Sequence, residues 1–428
     1  MRQTKVVVIG AGSASFGLGV LSDAVNTPEL RGSTISLVDV DSDALDSVAA
    51  LARKMNEESG AGLVIEHTTD RTEALPGAEF VVISIAVQRN RLWRLDWEIP
   101  LKYGVKHTLG ENGGPGGLFH CMRNIPIILD ICRDIEKLCP DALVLNFTNP
   151  VSRICMAIDR FTDVNAVGLC HGIGGQLHGL SQVMGIGADN LDAKAAGLNH
   201  FTWIFDLRFR DSGQDAYPEL RTKLQGYDPR FQPLSRKMFD VYGFYPSPGD
   251  DHIGEYLSWA TDFCPMNGYD FEAADRYKTE TWERIRRMVS GDEPVTELIS
   301  RRSGERAFAI IGGILSNSNH LELAVNVPND GHISNLPQDA IVEVPAVIGG
   351  GGVSALSMGA LPSGIAALCS TQVGVQELSV AAAVTGRRDI ALQALLADPV
   401  IQSAEAAERI LHELLALEAD FLPQFCGT

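Results

Sequence analysis

The sequence predicts an α/β protein: a doubly wound parallel sheet in the N-terminal part, then a mixed α+β part, in a chain of 428 residues. Three observations carry this. The β-branched run Lys5–Ile9 flows directly into Gly10-Ala11-Gly12-Ser13-Ala14-Ser15-Phe16, a strand, a glycine turn and a helix start. Strand and helix patterns then alternate, as βαβ units do. The run 78–85 is unbroken in its apolar character, as a strand covered on both faces is.

Composition narrows the class of function. Apolar residues make up 45% of the chain, which excludes disorder, and the length exceeds one comfortable core, so two units are expected, 1–195 and 196–428. A formal charge of −19 excludes a nucleic-acid surface, because phosphate binding needs a basic face. The eight cysteines form no Cys-x-x-Cys pair, and no apolar run has the length of a membrane span. The expectation is a soluble cytoplasmic protein with no membrane partner.

In order, the glycine turn aims backbone N–H groups at a pyrophosphate, with Gly10, Gly12, Ser13, Ser15 and Phe16 as candidate contacts; Ser15 stands where the usual fingerprint has its third glycine. A helix over 18–24 leads to the strand Thr34–Val38, tipped by Asp39. An acid there accepts hydrogen bonds from an adenosine ribose and repels a 2′-phosphate, which selects NAD over NADP. A helix over 44–57 and a short strand over 63–66 follow. After the strand 78–85, Val87 to Arg94 reads as a loop crowded with Arg89, Arg91 and Arg94, which could hold a carboxylate or sulfonate or could be a solvated face.

Residues 109–118, with four glycines and a proline after Glu111, read as a loop that allows close backbone approach, with a helix from about Phe119. The strand 141–147 ends in Thr148-Asn149-Pro150, which points Asn149 toward the crevice outside the strand ends. The next strand ends at Cys170-His171-Gly172. A second metal-capable spot follows at Gly197-Leu198-Asn199-His200. A thiolate and an imidazole from two strand ends would make an open site for a divalent ion, although free Cys is more often buried and inert. Beyond 195 the alternation fades. A loop over 239–256 carries Asp250, Asp251 and His252 in a row, and one of these carboxylates could serve as a general base. Arg301 to Arg306 precedes a helix over 307–315, Asn326 to Gly331 reads as a turn, and 363–417 carries apolar residues at helical spacing, suited to packing or a subunit interface.

The ordered set Gly10-x-Gly12, Asp39, Asn146-Phe147-Thr148-Asn149-Pro150, Leu169-Cys170-His171-Gly172, Gly197-Leu198-Asn199-His200, Gly249-Asp250-Asp251-His252-Ile253, Gly304-Glu305 and Val342-Glu343-Val344-Pro345 resembles glycoside hydrolase family 4 over nearly the whole chain. The resemblance implies a Rossmann-type first unit, like that of lactate and malate dehydrogenases, and a catalytic second unit. It implies NAD and a divalent metal, normally Mn2+, held by Cys170 and His200. It also implies a route in which C3 of the sugar is oxidised, C2 is deprotonated, the C1 substituent leaves, water adds and C3 is reduced again. By the same resemblance Asn149 and His171 hold substrate hydroxyls, Asp250 is the base, with Asp251 not separable from it, and Glu111 stands where relatives often carry aspartate.

The Cys170-His171-Gly172 pattern resembles α-glucuronidase and α-glucosidase relatives, and the Gly249-to-Ile253 loop resembles α-galacturonidases. Both comparisons lead to an α-hexoside with an anionic C6 group, a galacturonide, glucuronide or sulfoquinovoside, held by Arg89 or Arg302. The alternatives are a neutral α-galactoside or α-glucoside, or a plain NAD-dependent dehydrogenase. A homodimer or homotetramer is the family expectation.

Overall fold

The computed structural model describes residues 2–13 and 16–426, so Ser15 of the expected nucleotide loop lies outside the described residues. The N-terminal elements run β1 (Lys5–Ile9), α1 (Phe16–Val25), β2 (Thr34–Val38), α2 (Ser42–Ser59), β3 (Val64–Thr68), α3 (Arg71–Ala74), β4 (Phe80–Ile83), α4 (Arg89–Lys102), α5 (Gly114–Leu138), β5 (Leu143–Asn146), α6 (Val151–Phe161), β6 (Ala166–Gly168) and α7 (Gly172–Met184). Their six strands are parallel in the order β3-β2-β1-β4-β5-β6, that of a Rossmann sheet. Side chains alternate across it: Val7, Ile9, Val81 and Ile83 face one core with α5 and α6, whereas Val6, Val8, Ile35 and Val82 face the other with α1 and α2.

The remaining elements are β7 (Leu191–Leu198), β8 (Phe201–Phe209), α8 (Tyr217–Gly226), α9 (Pro233–Tyr242), β9 (Tyr245–Ser247), α10 (Asp250–Ile253), α11 (Phe271–Ser290), α12 (Thr296–Ser300), α13 (Ala307–Ser316), β10 (His320–Pro328), β11 (Ile341–Gly349), β12 (Gly352–Ala355), α14 (Ser363–Thr385), α15 (Arg388–Ala397) and α16 (Ala404–Leu417). The sheet does not stop at the first half. β10 lies antiparallel to β6 through Asn326 opposite Gly168, and β11 meets β7 through Glu343 opposite Gly197. Twelve strands form one sheet, and its narrow seam runs along the ends that carry Cys170 and His200.

Four readings of local structure are corrected. The loop expected over 239–256 holds the end of α9, the strand β9 and the helix α10. The arginine-rich stretch expected as a loop becomes helical at Arg89, after Gln88 in the left-handed region; its inward face is Leu92, Trp93 and Asp96. The glycine-rich stretch enters α5 at Gly114, five residues before the expected start, because Gly113, Gly116 and Gly117 face backbone rather than solvent. Asn326 to Pro328 continue β10, and the turn comes only after them.

The C-terminal helices spend their apolar spacing within the chain. Ala391, Leu395, Ile410 and Leu414 join the core formed by β1, β4, α5 and α6. Glu418, just past α16, is tied to the same body by a buried ionic cluster: Arg123 of α5 donates to Asp96 of α4 at 2.6 and 3.1 Å and to Glu418 at 2.6 Å. Burial pushes the Glu418 carboxyl up to about 9, and Asp96 beside it pushes the same way against Arg123. Two carboxylates around one guanidinium thus share a proton. Among the described residues no helix is long and apolar enough to cross a membrane.

Candidate active site

The glycine turn is built as the sequence predicts. Gly10 and Ala11 donate to Val38 O at 2.9 and 3.1 Å. Gly10 has φ +91°, and a Cβ on it would lie 2.0 Å from Ser84 O, so no side chain fits. Asp39 closes the turn: its Oδ2 accepts from Gly12 N at 2.7 Å and its Oδ1 from Asp41 N at 3.0 Å. Ser13 adjoins this turn, and Phe16 opens α1.

On the same rim a second cluster gathers around Glu111. Arg89 donates to Glu111 Oε1 at 3.0 Å, Asn112 to Oε2 at 3.2 Å, and the Asn149 side chain also bonds to this carboxylate. Burial would raise the Glu111 carboxyl, but Arg89, then His120, His252 and Asn149, outweigh it and hold the carboxyl below its ordinary value. Glu111 is therefore an ionised, oriented acceptor. Asn149 precedes Pro150 through a cis peptide, and Asn124 donates to its carbonyl at 3.0 Å.

The loop that carries Glu111 is held from 142 to 144 residues away in sequence. Glu255 Oε2 accepts from three successive amides, Glu111 N at 2.6 Å, Asn112 N at 2.6 Å and Gly113 N at 3.0 Å. Gly113 and Gly116 permit this, since a Cβ on either would lie 2.4 Å from Glu255 O or 1.9 Å from Gly110 O. Asp398 fixes the next amide, that of Gly114, at 3.0 Å.

Three imidazoles converge beside this loop. His200 occupies the β7–β8 turn at φ +58°, a conformation unusual for a non-glycine residue, and is buried with its Nδ1 unpartnered. Burial, then the charges of His252 and His171, keep it below its ordinary value, hence neutral and with a lone pair to offer. His252 stacks obliquely on it with ring centroids 4.2 Å apart. Burial opposes protonation of His252, yet Glu255, Asp251 and Glu111 raise it to about 9. His200, His252 and Glu255 each present a ligand atom within 4.8 Å of the others, a trio able to hold a metal.

The sequence pairs Cys170 with His200, whereas this trio surrounds His200 with two other groups. Cys170 follows β6, its sulfur accepting from Gly172 N at 3.4 Å and bonded to Asn199, the residue before His200. Burial, then Glu343, pushes the thiol up, so it is protonated until a cation displaces the proton. Glu343 lies beneath: its carboxylate accepts from Asn199 at 2.9 Å, Asn326 at 3.1 Å and Thr202 at 2.8 Å, locking the turn that carries His200 to the β6–β10 seam. A lone glutamate in the apolar run 340–346 was the sequence signal for this support.

The other expected residues have particular partners. Asp250 caps α9, its Oδ2 accepting from Leu234 N at 2.8 Å and its Oδ1 from Ser235 N at 2.8 Å and Ser235 Oγ at 2.6 Å. Burial raises its carboxyl against these bonds. Asp251, exposed, accepts from His252 N at 2.9 Å. His171, two-thirds exposed, meets Glu305 Oε1 through Nδ1 at 3.1 Å. The two arginines expected to hold a C6 anion have different neighbours: Arg89 reaches Glu111 and covers Trp93 at 5.3 Å, whereas Arg302 acts on Asp23 of α1. Arg91 and Arg94 lie over Phe421 and Phe271.

A Rossmann sheet with a nucleotide turn and a buried imidazole–carboxylate cluster on one rim defines a cofactor-dependent enzyme class. Comparison with known proteins makes the family explicit. Residues 5–186 match the model of family 4 glycosyl hydrolases and 195–401 that of their C-terminal domain, so the chain belongs to family 4 of the glycosyl hydrolases and is a glycosidase. It is 37% identical to an α-glucosidase of Erwinia rhapontici over 98% of this chain and 99% of that one. It is 29% identical to an α-galacturonidase of Bacillus subtilis over 97% of each. A 6-phospho-α-glucosidase from gut microorganisms, solved in complex with NAD and Mn2+, superposes with a TM-score of 0.87 over 99% of both chains at 22% identity, which is a likeness of fold.

Proposed function

We propose that this glycosidase hydrolyses α-linked hexosides with the help of NAD and a divalent metal such as Mn2+. The observation that carries the reading is the convergence of three buried ligand atoms, the unpartnered His200 Nδ1 and the paired His252 Nδ1 and Glu255 Oε1 3.5 Å apart, with Asn149 and Glu111 beside the nucleotide turn. Buried polar atoms without a full set of partners are costly unless a ligand takes them up. They fit a hard or borderline cation, with the Cys170 thiol and the neutral His200 as its holders and His252 adjoining. The turn at Gly10 to Gly12, backed by Asp39, fits a dinucleotide. When bound, NAD+ accepts and returns a hydride at the sugar C3, and the metal acts as a Lewis acid toward the oxygens on C2 and C3.

The chain's own residues do the rest. Asn149 and His171 bind the hydroxyls and set the ring's position, and ionised Glu111 orients Asn149. Asp250 takes the C2 proton: burial strengthens it as a base, and α9 fixes its direction. Asp251 bears on His252 and sustains that imidazole's charge.

For the C6 group, we favour a neutral hydroxymethyl. Arg89 is neutralised by Glu111, and Arg91 and Arg94 lie over aromatic rings, so the basic cluster is already engaged. One observation favours the anionic C6 group instead: Arg89 uses one nitrogen on Glu111, and nearly half of its side chain remains exposed. Aryl α-glucoside, α-galactoside and α-galacturonide, assayed with NAD+ and Mn2+, decide between them. The neutral reading expects kcat/KM on a neutral sugar at least about 100-fold above the uronide, since a site without a free cation leaves a carboxylate unpaired. The reverse order would establish the anionic reading, and no turnover of any of them would refute the α-hexoside assignment.

A further inference from the structure

The proposed reaction needs His171 at the sugar, yet His171 is two-thirds exposed, on a turn bounded by Gly168 and Gly172. What fixes it is a chain of bonds from the cofactor helix. Asp23 of α1 accepts from Ser303 N at 3.1 Å and from the Ser303 hydroxyl. The same hydroxyl oxygen accepts from Glu305 N at 2.8 Å, and Glu305 Oε1 meets His171 Nδ1 at 3.1 Å. The segment is pressed on α1 elsewhere too, as Ser22 Oγ donates to Arg301 O at 2.6 Å and a Cβ on Gly19 would lie 2.7 Å from Ser303 Cβ.

We propose that Glu305 is the positioning residue for His171, holding the Nδ1 proton so that Nε2 is presented to the sugar, and that through Ser303 and Asp23 it ties this imidazole to the helix that follows the nucleotide turn. A carboxylate that receives one ring N–H fixes both tautomer and ring plane. The second Glu305 oxygen, Oε2, is buried with no hydrogen-bond partner among the described residues, so no competing donor turns the carboxylate away from His171. Sequence alone separates Glu305 from His171 by 134 residues and shows no link between them. The inference rests on the glycosidase reading for its kinetic readout but not for its structural one.

The test is a double-mutant cycle with Glu305→Ala and His171→Ala, measured as kcat and KM on the best hexoside at saturating NAD+. Glu305→Ala is expected to lower kcat about 10- to 100-fold, as outer partners of site histidines do. In the His171→Ala background the same change is expected to cost less than about threefold, because the group it acts through is gone. Glu305→Gln, which keeps the acceptor, is expected to restore most of kcat. Independent, multiplying losses, or a Glu305→Gln as poor as Glu305→Ala, would overturn the proposal. Should no hexoside be turned over, the His171 imidazole still reports it by long-range 1H–15N NMR at alkaline pH, assigned by its loss in His171→Ala. The proton is expected on Nδ1 in the unmodified chain and redistributed toward Nε2 in Glu305→Ala; an unchanged tautomer would overturn the proposal whatever the fate of the glycosidase reading.

Discussion

Replacing Glu255 separates its two available roles, anchor of the glycine loop and metal ligand. Its Oε2 accepts three consecutive amides at 2.6, 2.6 and 3.0 Å, whereas Oε1 faces only His252 Nδ1, 3.5 Å away. Glu255→Ala orphans three buried N–H groups, each costing ~1–3 kcal/mol, or about 3–9 kcal/mol together. That is comparable to the whole stability of a typical fold, so the alanine variant is expected to be insoluble or unfolded. Glu255→Gln keeps an oxygen for the amides but loses the charge assistance, about 2–4 kcal/mol over the three bonds. Hydrogen exchange of the peptide covering 109–117 reads this locally. The account expects roughly 30- to 1,000-fold faster exchange at Glu111, Asn112 and Gly113 in metal-free Glu255→Gln, with α2 and β2 unaffected. Unchanged exchange there, with metal affinity alone reduced, would refute the anchoring role and leave Glu255 a plain ligand.

Further outcomes follow from the same geometry. Asp250→Asn is expected to lower kcat at least about 100-fold, as loss of a general base does, while Asp251→Asn stays within about tenfold; the opposite order, measured by steady-state kinetics, would transfer the base to Asp251. Chelation is expected to abolish activity and added Mn2+ to restore it, and Cys170→Ser is expected to raise the Mn2+ concentration needed by about 10- to 100-fold in a titration of activity. The Glu418 carboxyl, at about 9 when folded against an ordinary glutamate near ~4.3, holds a proton that the unfolded chain loses. Stability therefore falls as pH rises across that window. Glu418→Gln is expected to flatten this decline in thermal melts, close to the unmodified chain at pH 5 and above it at pH 8.

Much of the first half was legible because its signals are local. A β-branched strand, a glycine turn and an acid-tipped second strand lie within 35 residues of one another, and strand-end positions such as Asn149 and Cys170 follow from the topology of open sheets. The start of α4 was not legible, because Arg89 to Arg94 shows no apolar periodicity until Trp93 and Asp96 meet their partners on α5 and the loop before it. Nor was the start of α5, where Gly116 and Gly117 read as breakers but are selected by backbone contacts closer than a Cβ allows, and Gly114 by its φ of +60°. Glu305 and Glu343 stand as single acids in their own segments and Glu255 behind the pair Asp250-Asp251, and the meaning of all three comes from partners 134 to 144 residues away. The helical spacing after 363 was visible, but the surface it covers, α5 and α6, could not be read from spacing alone.

The central claim is that a base of this chain removes the sugar's C2 proton during hydrolysis. Turnover of an α-hexoside in deuterated water, followed by NMR of the released sugar, tests it directly. The account predicts deuterium at C2, and at C2 alone among the carbons, with the incorporation lost in Asp250→Asn. Release of sugar at full rate with hydrogen retained at C2 would contradict it.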